Sequence, residues 1–295
     1  MNNKENIQIK NQKKKSKLFF LLRLVIALLF IGISFGLYAV FKILLKNLGL
    51  YDLIWGRTIS MIVMIALVYF GYVLYLRIFE HRKPTEYSKK GWAQELAKGV
   101  GLGSGLIIIQ IVILWLMDVY HIDKVAVTTG IIHIFIISFI TGFLEELLNK
   151  GIIFRILEEG LGSWIALLVV ALEVGITHIS NTGATIFSTV AVSIEFGIML
   201  SLFYMVTRRL WLVTGFHFAW NFTMGGIFGI NVSGLEAQGL ISSYLQGNQL
   251  FTGGDFGIEA TIPAILICSI ITISLVYYVN KKKLVIQPMW SKPSE

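Results

Sequence analysis

Long apolar runs separated by short polar segments dominate the chain. A helix needs about 20 apolar residues to cross the hydrocarbon core of a bilayer. Eight runs reach or approach that length, at 18–45, 57–79, 97–117, 127–148, 162–180, 184–206, 210–229 and 258–280. The pattern predicts an all-α fold, a polytopic transmembrane helical bundle of about eight spans.

The positive charges between these runs predict the orientation of the bundle. Lysine and arginine concentrate on the cytosolic side of membrane proteins. Here they fill both tails and every even-numbered connection, whereas "ISNTGATI" and the long segment 230–257 contain none. We therefore expect both termini to be cytosolic and 230–257 to be an extracytoplasmic loop.

Composition narrows the class of protein further. The chain is 56% hydrophobic and only 14% charged, whereas soluble domains are about 25% charged. The net charge of +8 lies at the ends of apolar runs, where it sets topology, so nucleic acid is not an expected partner. The single cysteine, Cys268, excludes a disulfide framework and a cysteine-based metal site. The expected environment is a lipid bilayer.

Ionisable residues inside transmembrane helices are rare and usually functional. The predicted spans hold Glu145, Glu146, Glu173, His178, Glu195 and His217, with Asn221 as a polar companion. A helix hairpin that turns near residue 161 puts Glu145 and His178 at a similar depth. A second hairpin, turning near Arg208, does the same for Glu195 and Asn221. The sequence predicts one buried cluster of a carboxylate, two imidazoles and an amide.

The segment "TGFLEELLNKGIIFR", residues 141–155, places two adjacent carboxylates in this setting. Neighbouring side chains on a helix point about 100° apart, so Glu145 and Glu146 do not easily share a partner. Lys150 follows Glu146 by four residues, and Asn149 follows Glu145 by four. We predict that Lys150 neutralises Glu146, while Glu145 faces the cluster beside Asn149. A carboxylate facing His178 in a low dielectric has the properties of a general base.

Three short motifs resemble those of the CPBP intramembrane glutamic endopeptidases, also called the CAAX-protease, bacteriocin-processing or Abi-type family. They are "EELLNK" at 145–150, "VGITH" at 174–178 and "HFAWN" at 217–221. The resemblance covers about a third of the chain, at residues 127–229. It divides the chain into a basic cytosolic tail (1–17), N-terminal transmembrane helices (18–126), a CPBP-like catalytic helical core (127–229), and a last region (230–295). That last region holds the extracytoplasmic loop, the final transmembrane helix and a basic C-terminal tail.

The resemblance implies a role for each matching residue. Glu145 and His178 would activate a water molecule, His217 and Asn221 would stabilise the oxyanion, and Glu146 would support them. Lys150, Asn149 and Glu195 are supporting residues, although Glu195 is equally well explained as a protonated structural carboxylate. The implied enzyme uses no metal and hydrolyses a peptide bond in a membrane-associated or lipidated peptide or protein. The composition, rich in Ile, Lys and Asn, favours a multi-pass protein of a bacterial cell membrane.

Departures from the family motifs keep a second function open. Lys150 stands where the family has arginine, and lysine does not hold a carboxylate bidentately. Asn149 replaces a common aromatic residue, and Val174 replaces a phenylalanine. These changes favour a non-proteolytic member, such as a bacteriocin immunity protein or a membrane regulatory partner.

Other interpretations of the same residues are weighed against the protease. Glu145 and Glu146 could end a helix at the interface, paired with Lys150 and Arg155. His217 and Asn221 could be structural interhelix hydrogen-bonders, and His178 an interface residue. A proton-relaying transporter is disfavoured because no inverted repeat and no Gly/Pro-broken helix stands out. Zinc bound by Glu145, His178 and His217 is a plausible but less favoured mechanism, since no H-E-x-x-H spacing supports it.

Overall fold

The computed structural model of the protein describes residues 3–125 and 130–291; the side chains of residues 3–18 and of Ile54 lie outside the described part. Its α-helices are α1 Asn3–Asn47, α2 Ile54–Tyr75, α3 Trp92–Leu116, α4 Gly130–Glu146, α5 Arg155–Leu161, α6 Ser163–His178, α7 Ile186–Val192, α8 Leu200–Thr207, α9 Trp211–Asn221, α10 Gln249–Thr252 and α11 Ile262–Lys281. The strands are β1 Tyr120–Val125 and β2 Ile241–Leu245. The described chain is thus an all-α polytopic bundle with one small sheet.

Segments of π-helix extend or join several of these helices. They are Leu76–Glu80 after α2, Leu147–Phe154 between α4 and α5, Ser193–Met199 between α7 and α8, and Phe222–Ile227 after α9. A π-helical turn shifts the hydrogen-bond ladder and frequently occurs at functional sites. Glu146 immediately precedes one of these segments, and Glu195 lies within another.

Six helical stretches of the described chain are long and apolar enough to cross a membrane: Phe19–Asn47, Trp55–Glu80, Trp92–Leu116, Gly130–Leu161, Ile186–Thr207 and Ile262–Lys281. They confirm six of the eight predicted spans. The predicted spans at 162–180 and 210–229 are occupied by shorter helices, α6 and α9. The apolar side chains Leu266, Ile270 and Ile273 of α11 are 58–69% exposed, as expected of a lipid-facing helix. The protein is a multi-pass membrane protein.

The segment predicted to be a long loop, 230–257, is more ordered than its sequence suggested. It contains β2, which pairs antiparallel with β1, and the register is interrupted between Ile122 and Lys124. The predicted last span also begins later than expected, because Ile258–Ala260 forms a 3₁₀ turn before α11 starts at Ile262. Short strands with polar residues lack the long apolar signal by which the helices were recognised.

The first of two compact units comprises residues up to 84, 152–166 and those from 286 onward. Its polar centre is Glu80, whose side chain is 4% exposed. Three guanidinium groups contact this carboxylate at 2.7–2.8 Å, from Arg23, Arg82 and Arg155. The hydroxyl of Tyr75 donates to it as well, at 2.7 Å. This cluster joins α1, the end of α2 and α5.

The second unit comprises residues 85–151 and 167–285 and contains α3, α4 and α9. Glycines let these three helices approach closely. A Cβ atom added at Gly99 or Gly103 of α3 would collide with backbone carbonyl oxygens of α9, and one at Gly142 of α4 would lie 2.8 Å from the Phe218 nitrogen. Small residues at such contacts are a common means of helix association in membranes. The contacts place α9 against α3 and α4.

Candidate active site

The sequence-predicted residues converge where α9 crosses the end of α4, inside the second unit. Glu145 and Glu146 are the last two residues of α4, immediately before the π-helical segment Leu147–Phe154. His217 lies in the middle of α9. The next residue, Phe218, packs closely against Gly142 of α4. The close helix approach brings an imidazole to two carboxylates.

Glu146 and His217 form the central contact. Nδ1 of His217 lies 2.9 Å from Oε1 of Glu146, and the two side chains are 6% and 1% exposed. An ionised carboxylate only accepts hydrogen bonds, so Nδ1 is the protonated nitrogen of this pair. Phe196 packs on the imidazole with a centroid distance of 4.6 Å. The hydrogen bond and the ring contact fix both the tautomer and the orientation of His217.

Lys150 supplies the positive charge next to this pair. Its Nζ lies 3.3 Å from Oε2 of Glu146 and donates a 2.7 Å hydrogen bond to the carbonyl oxygen of Phe196. The Lys150 side chain is fully buried, and an unpaired ion would be costly there. The predicted ion pair between Lys150 and Glu146 is therefore present. The additional hydrogen bond from His217 to Glu146 was not predicted.

Glu145 lies on the opposite, open side of the imidazole. Its Oε2 is 3.9 Å from Nε2 of His217, beyond hydrogen-bond distance, and its side chain is 41% exposed. With Nδ1 committed to Glu146, Nε2 of a neutral His217 carries a free lone pair on the side of Glu145. A carboxylate and an imidazole nitrogen thus face a common space that is accessible from outside.

Asn221 lies one helical turn after His217 and borders the same region. Its Nδ2 donates to Oγ1 of Thr141 at 3.3 Å, and Thr141 is one turn before Glu145. A side-chain amide nitrogen has two hydrogens, so the second remains for another acceptor. Asn221 also lines a cavity of about 210 Å³.

The structure places His178 apart from the pair formed by Glu146 and His217. Nδ1 of His178 lies 2.8 Å from the carbonyl oxygen of Val174, so this nitrogen is the donor and Nε2 is free when the ring is neutral. No hydrogen bond or ion pair joins His178 to Glu145 in the described residues. Glu173 interacts electrostatically with both of them, which places His178 in the surroundings of the site.

Of the other two supporting residues, Asn149 is buried and Glu195 is completely enclosed. Oδ1 of Asn149 and both carboxylate oxygens of Glu195 have no hydrogen-bond partner among the described residues. Glu195 precedes Phe196, the residue that packs on His217, and its electrostatic neighbour is Glu259. Hairpin depth placed Glu195 and Asn221 at a similar level, and no hydrogen bond joins the two side chains in the described part of the chain.

Glu259 is a buried carboxylate that sequence reasoning missed. Its Oε1 accepts a 3.0 Å hydrogen bond from Nε1 of Trp220, and its Oε2 accepts two 2.7 Å bonds, from the backbone and hydroxyl of Ser233. Trp220 adjoins Asn221 in α9. The sequence signal was an acid just before the apolar run of α11, which resembles an ordinary interfacial residue.

The contacts bear on two other roles of these residues, which are an ion pair of Glu145 or Glu146 with Arg155 and a metal site. Arg155 bonds Glu80 at 2.8 Å and Glu159 at 3.2 Å, and no ion pair between Arg155 and Glu145 or Glu146 is found among the described residues. Among the described residues, no three His, Cys, Asp or Glu side chains are grouped so that they could hold a metal ion.

Comparison with known proteins gives one match. Residues 126–223, a third of the chain, match the family model of the Rce1-like type II CAAX prenyl endopeptidase. The matched region contains all five residues to which the sequence motifs implied catalytic roles. None of the curated proteins and none of the solved structures compared with the chain matches it.

Proposed function

We propose that this chain, which carries an Rce1-like type II CAAX prenyl endopeptidase domain at residues 126–223, is an intramembrane endopeptidase that uses an activated water molecule. The observation that carries the proposal is the arrangement around His217. One carboxylate, Glu146, fixes Nδ1, while a second, Glu145, faces Nε2 from the exposed side. Hydrolysis needs a place for a water molecule, a proton acceptor and a donor for the oxyanion. The space between Glu145 and Nε2 of His217, the Glu145 carboxylate and the Asn221 amide would supply them.

In the proposed reaction, a water molecule lies between Glu145 and Nε2 of His217. Glu145 accepts a proton from the water, and the resulting hydroxide attacks the carbonyl carbon of the scissile peptide bond. The carbonyl oxygen becomes an oxyanion, which accepts a hydrogen bond from the free N–H of Asn221. When the C–N bond breaks, the proton on Glu145 moves to the departing amine, and Glu145 is again ionised. No covalent link to the protein forms.

Glu146 and Lys150 are positioning residues in this scheme. Glu146 holds His217 in the tautomer that leaves Nε2 free to accept a hydrogen bond from the water, and Lys150 places a positive charge next to Glu146. His178 follows the family resemblance as a second proton acceptor. Two observations support that assignment. Nε2 of His178 is free, and His178 and Glu145 both interact electrostatically with Glu173.

The proposed substrate is a membrane-associated or lipidated peptide or protein, and the proposed location is a bacterial cell membrane. The mechanism proposed here is metal-independent, and the zinc alternative at Glu145, His178 and His217 makes a different prediction. Strong chelation should leave the activity unchanged if no metal takes part. Loss of activity on chelation that returns with added zinc would replace this mechanism by the zinc one.

The test is comparative peptidomics of membranes and medium from cells with the wild-type chain, with a deletion, and with Glu145→Ala. Peptide termini that vanish in both altered strains would support the protease and identify its substrate. A deletion phenotype that Glu145→Ala rescues fully would overturn it and favour the non-proteolytic alternative. An Asp255→Asn strain, which changes an exposed carboxylate of the same unit, controls for loss of charge.

A further inference from the structure

A cavity of about 210 Å³ lies beside the candidate active site, in the second unit. One wall is α4, with Ile134 and Ile137, and the other is the segment 232–237, with Val232 and Leu235. Its inner end contains Thr141 and Asn221, which lie one helical turn from Glu145 and His217, respectively. Residues one turn apart are about 5–6 Å from each other, so the cavity adjoins the reacting groups.

The floor of the cavity has an unused hydrogen-bonding group. Ser138 lines the cavity and is 2% exposed, yet its Oγ has no hydrogen-bond partner among the described residues. A buried hydroxyl without a partner costs free energy in the empty protein. An occupant that offers a polar group there removes this cost, so Ser138 indicates a ligand that is not purely apolar.

The mouth of the cavity carries negative charge. Glu236 and His133 line it, and both are exposed. Among the ten lining residues Glu236 has the only formal charge, apart from the titratable His133, and no lysine or arginine lines the cavity. A cationic group at the mouth is therefore favoured over an anionic one.

The segment 232–237 is held firmly in place, so the cavity is a defined site. Gly234 has a φ of +83°, donates to the carbonyl oxygen of Phe256, and packs closely against Thr182. Val232 and Leu235 exchange backbone hydrogen bonds, and Ser233 is bonded to Glu259. A wall fixed by this many bonds keeps its distance from α4.

We infer that this cavity is the subsite for the part of a peptide substrate next to the scissile bond, and that it selects an apolar side chain followed by lysine or arginine. This inference rests on the proposed endopeptidase function. The volume is below the roughly 300–1,000 Å³ of pockets that bury a drug-sized ligand, so it suits one apolar side chain with its backbone. That side chain lies between Ile134, Ile137 and Val232, a backbone group bonds Ser138, and the cation meets Glu236 at the mouth.

Binding is measured with the full chain carrying Glu145→Gln, in lipid nanodiscs, so that cleavage does not interfere. The probes are fluorescent apolar peptides that are identical except for a central Leu-Lys, Leu-Glu, Gly-Lys or Gly-Glu pair. Leu-Lys should bind about tenfold more tightly than Gly-Lys, because a leucine side chain is buried. It should bind about two- to fivefold more tightly than Leu-Glu, the usual strength of an exposed ion pair.

Three further substitutions and one control in the same background test the contacts. Glu236→Lys should reverse the preference between Leu-Lys and Leu-Glu, whereas Asp255→Lys, the same charge change on an exposed residue outside the cavity, should not. Ala237→Leu narrows the cavity and should reduce the advantage of Leu over Gly to less than about threefold. Ser138→Ala should weaken binding of every probe by about threefold or more without lowering the unfolding temperature, because its hydroxyl has no partner in the free protein.

Equal binding of Leu-Lys and Leu-Glu, or a preference that Glu236→Lys leaves intact, would overturn the inference. The inference would also be overturned if Asp255→Lys changed both the unfolding temperature and the binding preference as Glu236→Lys does. The chain could show the expected binding preferences while the wild type cleaves none of the probes and releases no peptide in cells. That result would contradict the proposed endopeptidase function and leave the subsite intact. Cleavage by the wild type without any such preference would leave the protease intact and remove the subsite.

Discussion

Glu146 and His217 are joined by a 2.9 Å hydrogen bond from Nδ1 to Oε1, although 71 residues separate them along the chain. The bond determines which imidazole nitrogen is available for chemistry. Because Glu146 takes Nδ1, the free Nε2 lies on the side of Glu145, and that side is open. The two adjacent glutamates therefore have different surroundings: Glu146 is buried and bonded to the histidine, and Glu145 lies on the exposed side.

Replacing Glu146 by glutamine should lower kcat by about a hundredfold or more while KM changes little. The amide can donate to Nδ1, which favours the wrong tautomer of His217, and Nε2 then no longer accepts a hydrogen bond from the water. Cleavage of a substrate identified by peptidomics is the measurement, with Asp255→Asn as the control carboxylate. An activity of Glu146→Gln within a factor of about two of the wild type would rule out the orienting role.

Lys150 should stabilise the protein mainly through Glu146. Lys150→Met leaves a buried carboxylate without its cation, a change that typically costs about 3–5 kcal/mol. In the double variant Glu146→Gln/Lys150→Met no charge is stranded, so its stability should lie clearly above that of Lys150→Met. Unfolding of the purified chains in detergent measures this, and Lys150→Arg, which keeps the charge, serves as the matched variant.

The two single variants and the double variant form a double-mutant cycle, which measures the coupling free energy between Glu146 and Lys150. For residues in direct contact, the effect of the double variant usually differs from the sum of the single effects by about 0.5–3 kcal/mol. Strict additivity of Glu146→Gln and Lys150→Met would mean that the 3.3 Å ion pair contributes nothing to stability. It would also remove the reason for placing lysine at this position of the motif.

The sequence predicted the helical bundle well because long apolar runs are strong local signals. The turn near residue 161 is present as the break between Leu161 and Ser163, and the turn near Arg208 lies between Thr207 and Trp211. Lys150 was correctly assigned to Glu146 because residues four apart share a helix face. Each of these predictions depends on residues close to one another in sequence.

The remaining features depend on contacts that local pattern does not encode. The hydrogen bond of Glu146 to His217 requires α9 to approach α4, which Gly142 permits. The short strands β1 and β2 pair across more than a hundred residues, and neither has an apolar run to mark it. Hairpin depth placed His178 level with Glu145, but depth along an axis does not fix which way a side chain points.

Glu259 should stabilise the wall of the cavity without taking part in the chemistry. Glu259→Gln can still accept through its carbonyl oxygen but cannot serve Trp220 and both groups of Ser233 as well as a carboxylate does. We expect a loss of about 1–3 kcal/mol in stability and faster proteolysis within residues 230–257. Cleavage of bound substrate should fall less than in Glu146→Gln, since Glu259 acts only through Trp220 and Ser233.

The outcome for Glu259 is checked by limited proteolysis of the intact chain in lipid nanodiscs, with Asp255→Asn as control. Asp255 lies four residues away and its side chain is exposed, so its removal should not change the digestion pattern. A digestion pattern of Glu259→Gln identical to that of the wild type would show that the segment 232–237 is held by its backbone bonds alone.

Glycines on α3 offer a matched test of how closely helices must approach to form the site. Gly103→Ala places a methyl group against the carbonyl of Phe216, whereas an added Cβ at Gly101 or Gly105 meets no atom within 4 Å. Gly103→Ala should destabilise the protein by about 1–3 kcal/mol and reduce activity, because α9 must move and carries His217 with it. Gly101→Ala and Gly105→Ala should be neutral or stabilising by up to about 1 kcal/mol, since alanine favours a helix. Unfolding in detergent and substrate cleavage are measured on all three variants. Equal effects at the three positions would mean that helix propensity, and not the contact of α3 with α9, governs stability and activity.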